Sequence, residues 1–152
     1  MSFGGAAGLQ GMIQEATPFL NFNGDCHQAI ALYQKALDAK VADRRGWEPA
    51  MFDDGKVPEG MKDGVMYARL MMGEVPLEMS DVPPHFKVEP GSHLSINLHI
   101  SDPDELDRRV ELLAQGGKVE MPPETMFWGG RMAKVIDRFG VSWMFHCQVT
   151  PG

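Results

Sequence analysis

The chain of 152 residues is 43% hydrophobic and 23% charged with a net charge of −7, a balance that suits one globular domain large enough to bury a core without disulfides or metals. No apolar run approaches the roughly 20 residues needed to cross a bilayer, and two cysteines, Cys26 and Cys147, with no CxxC pair exclude a disulfide framework and a zinc ribbon. The acidity argues against nucleic acid as a partner, because phosphate recognition needs clustered Lys and Arg, whereas Arg44-Arg45 and Arg108-Arg109 are isolated pairs.

The opening, MSFGGAAGLQGMIQEA, lacks the basic start and long apolar middle of a secretory signal. Residues 1–16 are expected to be a flexible extension, 17–150 a single domain, and the location cytoplasmic. From Thr17 to Asn23 apolar and polar residues alternate, which predicts a strand. Gly24-Asp25 then introduces a helix with Cys26, Ala29, Ile30, Tyr33, Ala36 and Leu37 on one face. Strands are predicted near Val41 to Trp47, within GVMYARLMMG (64–73) and over VPLEM (75–79). The prolines and glycine of SDVPPHFKVEPGS cannot continue a sheet, so residues 82–92 read as a linker.

Alternation returns from His93 to Ser101. Asp102-Pro103-Asp104-Glu105 then supplies an N-cap, a proline at the first helical position and an acidic first turn; Leu106, Val110 and Leu113 form the stripe, and Gly116-Gly117 stops it. Further strands are predicted near Lys118 to Met121, in GRMAKVIDRFG (130–140) and in VSWMF (141–145). The chain is therefore two copies of one unit, 17–81 and 93–148. Superposing the caps Asp25 and Asp102 without gaps places Pro18 on Ser95, Leu20 on Asn97 and Phe22 on His99; laying VPLEM over VSWMF places Glu78 on Met144. A period this long that occurs only twice is a duplication rather than a solenoid. The predicted fold is α+β, two tandem βαβββ units whose curved mixed sheets enclose a cleft.

This organisation resembles the vicinal oxygen chelate superfamily of glyoxalases, extradiol dioxygenases and bleomycin-resistance proteins. LNFNGDCHQAIALYQKAL, MYARLMMG and MFWGGRMAKVIDRFGVSWMFHC are similar to its PhnB-like, or glyoxalase-like, branch, and the likeness covers Pro18 to Gln148. In metal-using members the ligands come from the first and last strands of each half. The resemblance puts those positions at Pro18, Glu78, Ser95 and Met144, of which only Glu78 is a strong donor for zinc or iron. The usual metal site is expected to be dismantled, with no cofactor. A divalent metal held by a displaced set of Glu78, His99 and His146 is disfavoured, because His99 lies four residues, about 13 Å, beyond Ser95, and His146 two residues, about 7 Å, beyond Met144.

Period-two alternation extends the expected cleft lining to Leu20, Phe22, Ser80, Asn97, His99, Ser142 and His146, and Trp128 of the FWGG stretch is placed at the cleft mouth. Glu78 is the candidate catalytic base; Phe22, Ser95, Asn97, His99, Trp128, Met144 and His146 are the candidate substrate-binding residues. The resemblance implies a small-molecule ligand and a homodimer, since related members often complete their clefts across two chains. The function it favours is binding of a small organic molecule, with metal-independent proton transfer or isomerisation if the chain is an enzyme. The alternatives are a non-catalytic drug-sequestering protein and a metal-dependent lyase or dioxygenase with displaced ligands. Methyltransferase chemistry, a label PhnB-like chains sometimes carry, would need a glycine-rich strand-to-helix loop that is missing here.

Overall fold

The computed structural model describes residues 11–149; the first ten residues of the expected extension lie outside them. The first half runs β1 (Phe19–Phe22), α1 (Cys26–Leu37), β2 (Lys40–Arg45), β3 (Tyr67–Met72) and β4 (Val75–Asp81). The second repeats it as β5 (Ile96–His99), α2 (Pro103–Leu113), β6 (Lys118–Thr125), β7 (Gly130–Ile136) and β8 (Ser142–Gln148). Each half forms a four-stranded sheet, ordered β1-β4-β3-β2 and β5-β8-β7-β6. In both, the first strand lies parallel to the last while the other neighbours are antiparallel. The α+β fold of two tandem βαβββ units is thus the one the sequence predicts. No helix among the described residues is long and apolar enough to cross a membrane.

The two helices start differently. Asp102 caps α2 as its sequence implies, its side chain accepting from the Asp104 amide at 3.0 Å with Pro103 in the first turn. Asp25 stands at the N-cap of α1 but makes no side-chain cap bond. Its place is taken by Asp81 at the end of β4, whose Oδ1 accepts from the Gly24 and Cys26 amides at 3.0 and 2.9 Å. The other oxygen of Asp81 accepts from the Val65 amide at 2.8 Å. One buried carboxylate therefore ties the helix entry to the last strand of its unit.

The helices pack on each other and on the inner faces of both sheets, so the halves share one core. Tyr33 of α1 meets Trp143 of β8 edge-on at 5.2 Å, and Arg109 of α2 donates to the Ala36 carbonyl at 3.1 Å and to Asp38 at 2.7 Å. Leu70, Leu77 and Met79 enter this core from the first sheet, Val135 and Phe145 from the second.

Cys26 begins the apolar stripe of α1 and is fully buried. Burial, and after it the Asp81 carboxylate, pushes its thiol pKa up to about 12, the opposite of the activation a helix N-terminus can give an exposed thiol. Cys147 is also buried, at 1% exposure. A thiol-specific disulfide reagent at pH 8 should accordingly label neither cysteine in the folded protein and both in denaturant; fast labelling of the native chain would contradict this burial. Because the folded thiol holds its proton more tightly than the unfolded one, its contribution to stability is intact below about pH 9 and is lost as the pH climbs towards about 12. Tyr33, raised by burial and by Asp137, adds to the loss in the same direction.

Candidate functional site

Alternation gives each sheet a second face, turned from the shared core. On β4, Leu77, Met79 and Asp81 point inward, leaving Glu78 and Ser80 on the other face. On β8, Trp143, Phe145 and Cys147 point inward, leaving Met144 and His146. Glu78 and Met144 are thus equivalent, and strand pairing within each sheet sets Phe19 beside Glu78 and Asn97 beside Met144. The outward residue of β1 is therefore Phe19 and not Pro18.

This corrects the gap-free superposition of the caps, which slips by one residue in β1 and so inverts its faces. The turn into α1 passes through Gly24 at φ 95, in the left-handed region, whereas Ser101 in the turn into α2 does not adopt positive φ. Turns of different shape carry the same spacing to opposite registers. Leu20 accordingly packs against the core, and Phe22, expected to touch substrate, is 3% exposed with its ring 5.7 Å from Phe139.

On the first-sheet face the strand YARLMM contributes Tyr67, Arg69 and Met71 alongside Glu78. Glu78, with 22% of its side chain exposed, has Arg69 Nη1 at 3.7 Å from Oε2. The Tyr67 hydroxyl donates a short hydrogen bond to that same oxygen, and this bond is the main cause raising the Tyr67 pKa, so the phenol stays protonated. Arg69 also reaches Glu15 at 3.3 Å. Phe19, 47% exposed, supplies an apolar wall with its ring 6.5 Å from Tyr67. Sequence reasoning missed Tyr67 and Arg69, although a signal was present: a two-residue turn at Gly73-Glu74 pairs Met72 with Val75 and, counting back, Arg69 with Glu78.

The second-sheet face gathers Asn97 and His99 of β5, Met144 and His146 of β8, and Met132 and Lys134 of β7. The His99 and His146 rings stand 5.4 Å apart, and Asn97 Nδ2 lies 3.5 Å from His99 Nε2. Trp128 joins them. A Cβ on Gly130 would lie 2.7 Å from Trp128 Nε1 and 3.0 Å from His146 Nε2, so only glycine lets the indole and imidazole converge there. Trp128 also meets Phe127 edge-on at 5.0 Å, and Phe127 is 98% exposed. Ser95 is engaged with Ser142, Oγ to Oγ 2.6 Å.

No hydrogen bond or ion pair among the described residues joins Glu78 to His99 or His146, and no three His, Cys, Asp or Glu side chains among those residues converge on one point. The register places a phenyl ring, a carboxylate, an amide and a thioether at Phe19, Glu78, Asn97 and Met144. That donor set does not fit a hard divalent ion, and its one carboxylate is already held by Tyr67 and Arg69. Asn97 and His99 border a cavity of about 600 Å³ whose other walls include Pro18, Met72, Val75 and Arg109, so it spans the junction of the two halves. That volume lies within the range of small-molecule sites.

Comparison with known proteins agrees with this architecture. Residues 18–145 match the Glyoxalase/Bleomycin resistance protein/Dioxygenase superfamily. Protein YjdN of Escherichia coli (strain K12) is 32% identical over 137 residues, covering 86% of this chain and 92% of that protein. The crystal structure of protein PA1353 from Pseudomonas aeruginosa superposes with a TM-score of 0.74 at 32% identity, covering 90% of this chain and 98% of that one. A putative 3-demethylubiquinone-9 3-methyltransferase, PhnB protein, from Bacillus cereus gives 0.69 at 22% identity over 88% and 99% of the two chains. With its duplicated βαβββ sheets and a match over nearly its whole described length, the chain belongs to the Glyoxalase/Bleomycin resistance protein/Dioxygenase superfamily.

Proposed function

We propose that this chain is a PhnB-like glyoxalase-fold protein that binds a small organic molecule and moves a proton on it without a metal, with Glu78 as the base. The observation that carries this reading is the Tyr67–Glu78–Arg69 cluster on an open sheet face. Arg69, 3.7 Å from Glu78, is a natural partner for an anionic group on the ligand. Tyr67, kept protonated, releases Glu78 as the ligand enters and turns its single hydroxyl proton to the oxygen that gains charge as a carbon acid ionises. Glu78 takes the proton from carbon and returns it to the same or the neighbouring carbon, so the net reaction is exchange or isomerisation. Asn97 and His99, which line a cavity that Glu78 does not reach within one chain, would orient the ligand where a second copy brings its second-sheet face onto the Glu78 cluster. We infer a homodimer, in which a second copy covers part of the exposed sheet faces, and a cytoplasmic location.

The direct test is NMR-detected exchange of carbon-bound hydrogen for deuterium over a panel of small α-hydroxyketones and 2-oxoacids. Catalysed exchange for at least one class is expected, and none across the panel would remove the catalytic part of the proposal.

A second reading, non-catalytic sequestration of a planar cationic drug, draws on Phe127 and Trp128, exposed aromatics on an acidic protein. Its test is a titration with bleomycin followed by tryptophan fluorescence. Saturable quenching that disappears in Trp128→Leu supports it, and quenching that survives the substitution speaks against it. Methyl transfer, which the name of the Bacillus cereus relative also suggests, finds no glycine-rich loop at either strand-to-helix turn, Asn23-Gly24-Asp25 or Ile100-Ser101-Asp102.

A further inference from the structure

A second cavity, of about 620 Å³, lies away from both candidate faces, between the 46–66 excursion that links β2 to β3 and the linker after β4. Trp47, Met61 and Gly64 line it from the excursion, Pro84 and Phe86 from the linker. The linker is pinned rather than draped: Asn23 donates to the Val88 carbonyl at 3.0 Å and accepts from the Val88 amide at 2.8 Å, and the Val82 amide donates to the Phe22 carbonyl at 2.8 Å.

The floor of the cavity is a donor beside an acceptor. Trp47 Nε1 and Asp81 Oδ2 each lie 3.4 Å from the point where a Cβ on Gly64 would sit, and glycine leaves that point open. The indole N–H has no hydrogen-bond partner among the described residues. Asp81, only 4% exposed, uses Oδ2 to accept a single hydrogen bond, from the Val65 amide, which leaves that oxygen a free lone pair. Aromatic rings border the cavity: Trp47, whose ring lies 6.1 Å from that of Phe52, and Phe86, 59% exposed.

We propose that this cavity is a second ligand site, for planar heterocycles that carry an N–H next to a C=O. The ligand carbonyl accepts from Trp47 Nε1, its N–H donates to Asp81 Oδ2, and its ring packs against Phe86. A paired donor and acceptor select such an edge over a plain aromatic ring, because a ring without it leaves both polar groups unmatched.

Uracil is the probe and 1,3-dimethyluracil, which lacks any N–H, its control; binding is followed by saturation-transfer NMR titration. Saturable uracil binding is expected, weaker by at least about tenfold for the dimethyl compound and in Trp47→Phe, each of which removes one hydrogen bond. Gly64→Ala should abolish binding by filling the space beside donor and acceptor; its Cβ would also lie 3.3 Å from the Met61 carbonyl oxygen, so an unchanged melting temperature is required before this variant counts. Failure of uracil to saturate, equal binding of the dimethyl compound, or undiminished binding in both variants overturns the proposal.

Discussion

Asp137→Ala is expected to cost about 3–5 kcal/mol of folding stability, the range for removing one partner from a buried charged network. Asp137 is 2% exposed and accepts four hydrogen bonds. Oδ2 takes the Tyr33 hydroxyl at 2.7 Å and Trp143 Nε1 at 2.9 Å; Oδ1 takes the Phe139 and Val141 amides at 2.9 and 3.0 Å. It thus shapes the turn between β7 and β8 and, through Tyr33, fastens α1 of the first half to the second sheet. Alanine strands four donors where water cannot replace the lost acceptor, and the penalty is theirs as much as the carboxylate's. Tyr33→Phe removes one donor together with its bond and should cost only about 1 kcal/mol. Urea denaturation of both variants checks this: a loss below about 1 kcal/mol for Asp137→Ala would show that the network contributes little to joining the halves.

Neither of the two buried aspartates that organise the fold stands out in the sequence. In IDRFG and in LEMSD each occupies a position where an exposed turn residue would look the same, and what distinguishes them is partners far along the chain. Asp81 captures the amide of Cys26 and Asp137 the hydroxyl of Tyr33. Patterns that need only neighbouring residues were legible: the alternation of β4 and β8, the Asp102-Pro103 cap and the duplication itself. β6 runs on to Thr125 through Pro122 and Pro123, beyond the Met121 expected, because an edge strand with register shifts at Val119/Met121 and Met121/Glu124 can carry residues that donate no hydrogen bond. The face of β1 was not legible, since four residues with apolar side chains at Phe19, Leu20 and Phe22 fit either register and only pairing with β4 decides between them. The candidate site was half legible for the same reason. Glu78 could be found from its own strand, whereas Tyr67 and Arg69 required the hairpin register to be followed across the turn.

Glu78→Gln is expected to lower the rate of catalysed carbon–hydrogen exchange by about 10²–10⁴-fold, the usual contribution of a positioned general base. Glutamine keeps the size of the side chain, and its carbonyl can still accept from Tyr67, but it takes up no proton from carbon. Ligand affinity should change only a few-fold if Arg69 and the second-sheet residues do most of the holding. The melting temperature should barely move, because Glu78 lies on an open face and its ion pair with Arg69 is partly solvated. Tyr67→Phe provides the internal check: it leaves the carboxylate in place and removes only the hydrogen-bond donor, so it should retain more exchange activity than Glu78→Gln. If Glu78→Gln exchanges as fast as the wild type while Tyr67→Phe does not, the base is another group and Glu78 only positions the tyrosine. If neither variant alters exchange, the chemistry lies off this face. A sequestering protein would instead show no exchange in any form, with drug affinity following Trp128 and indifferent to Glu78.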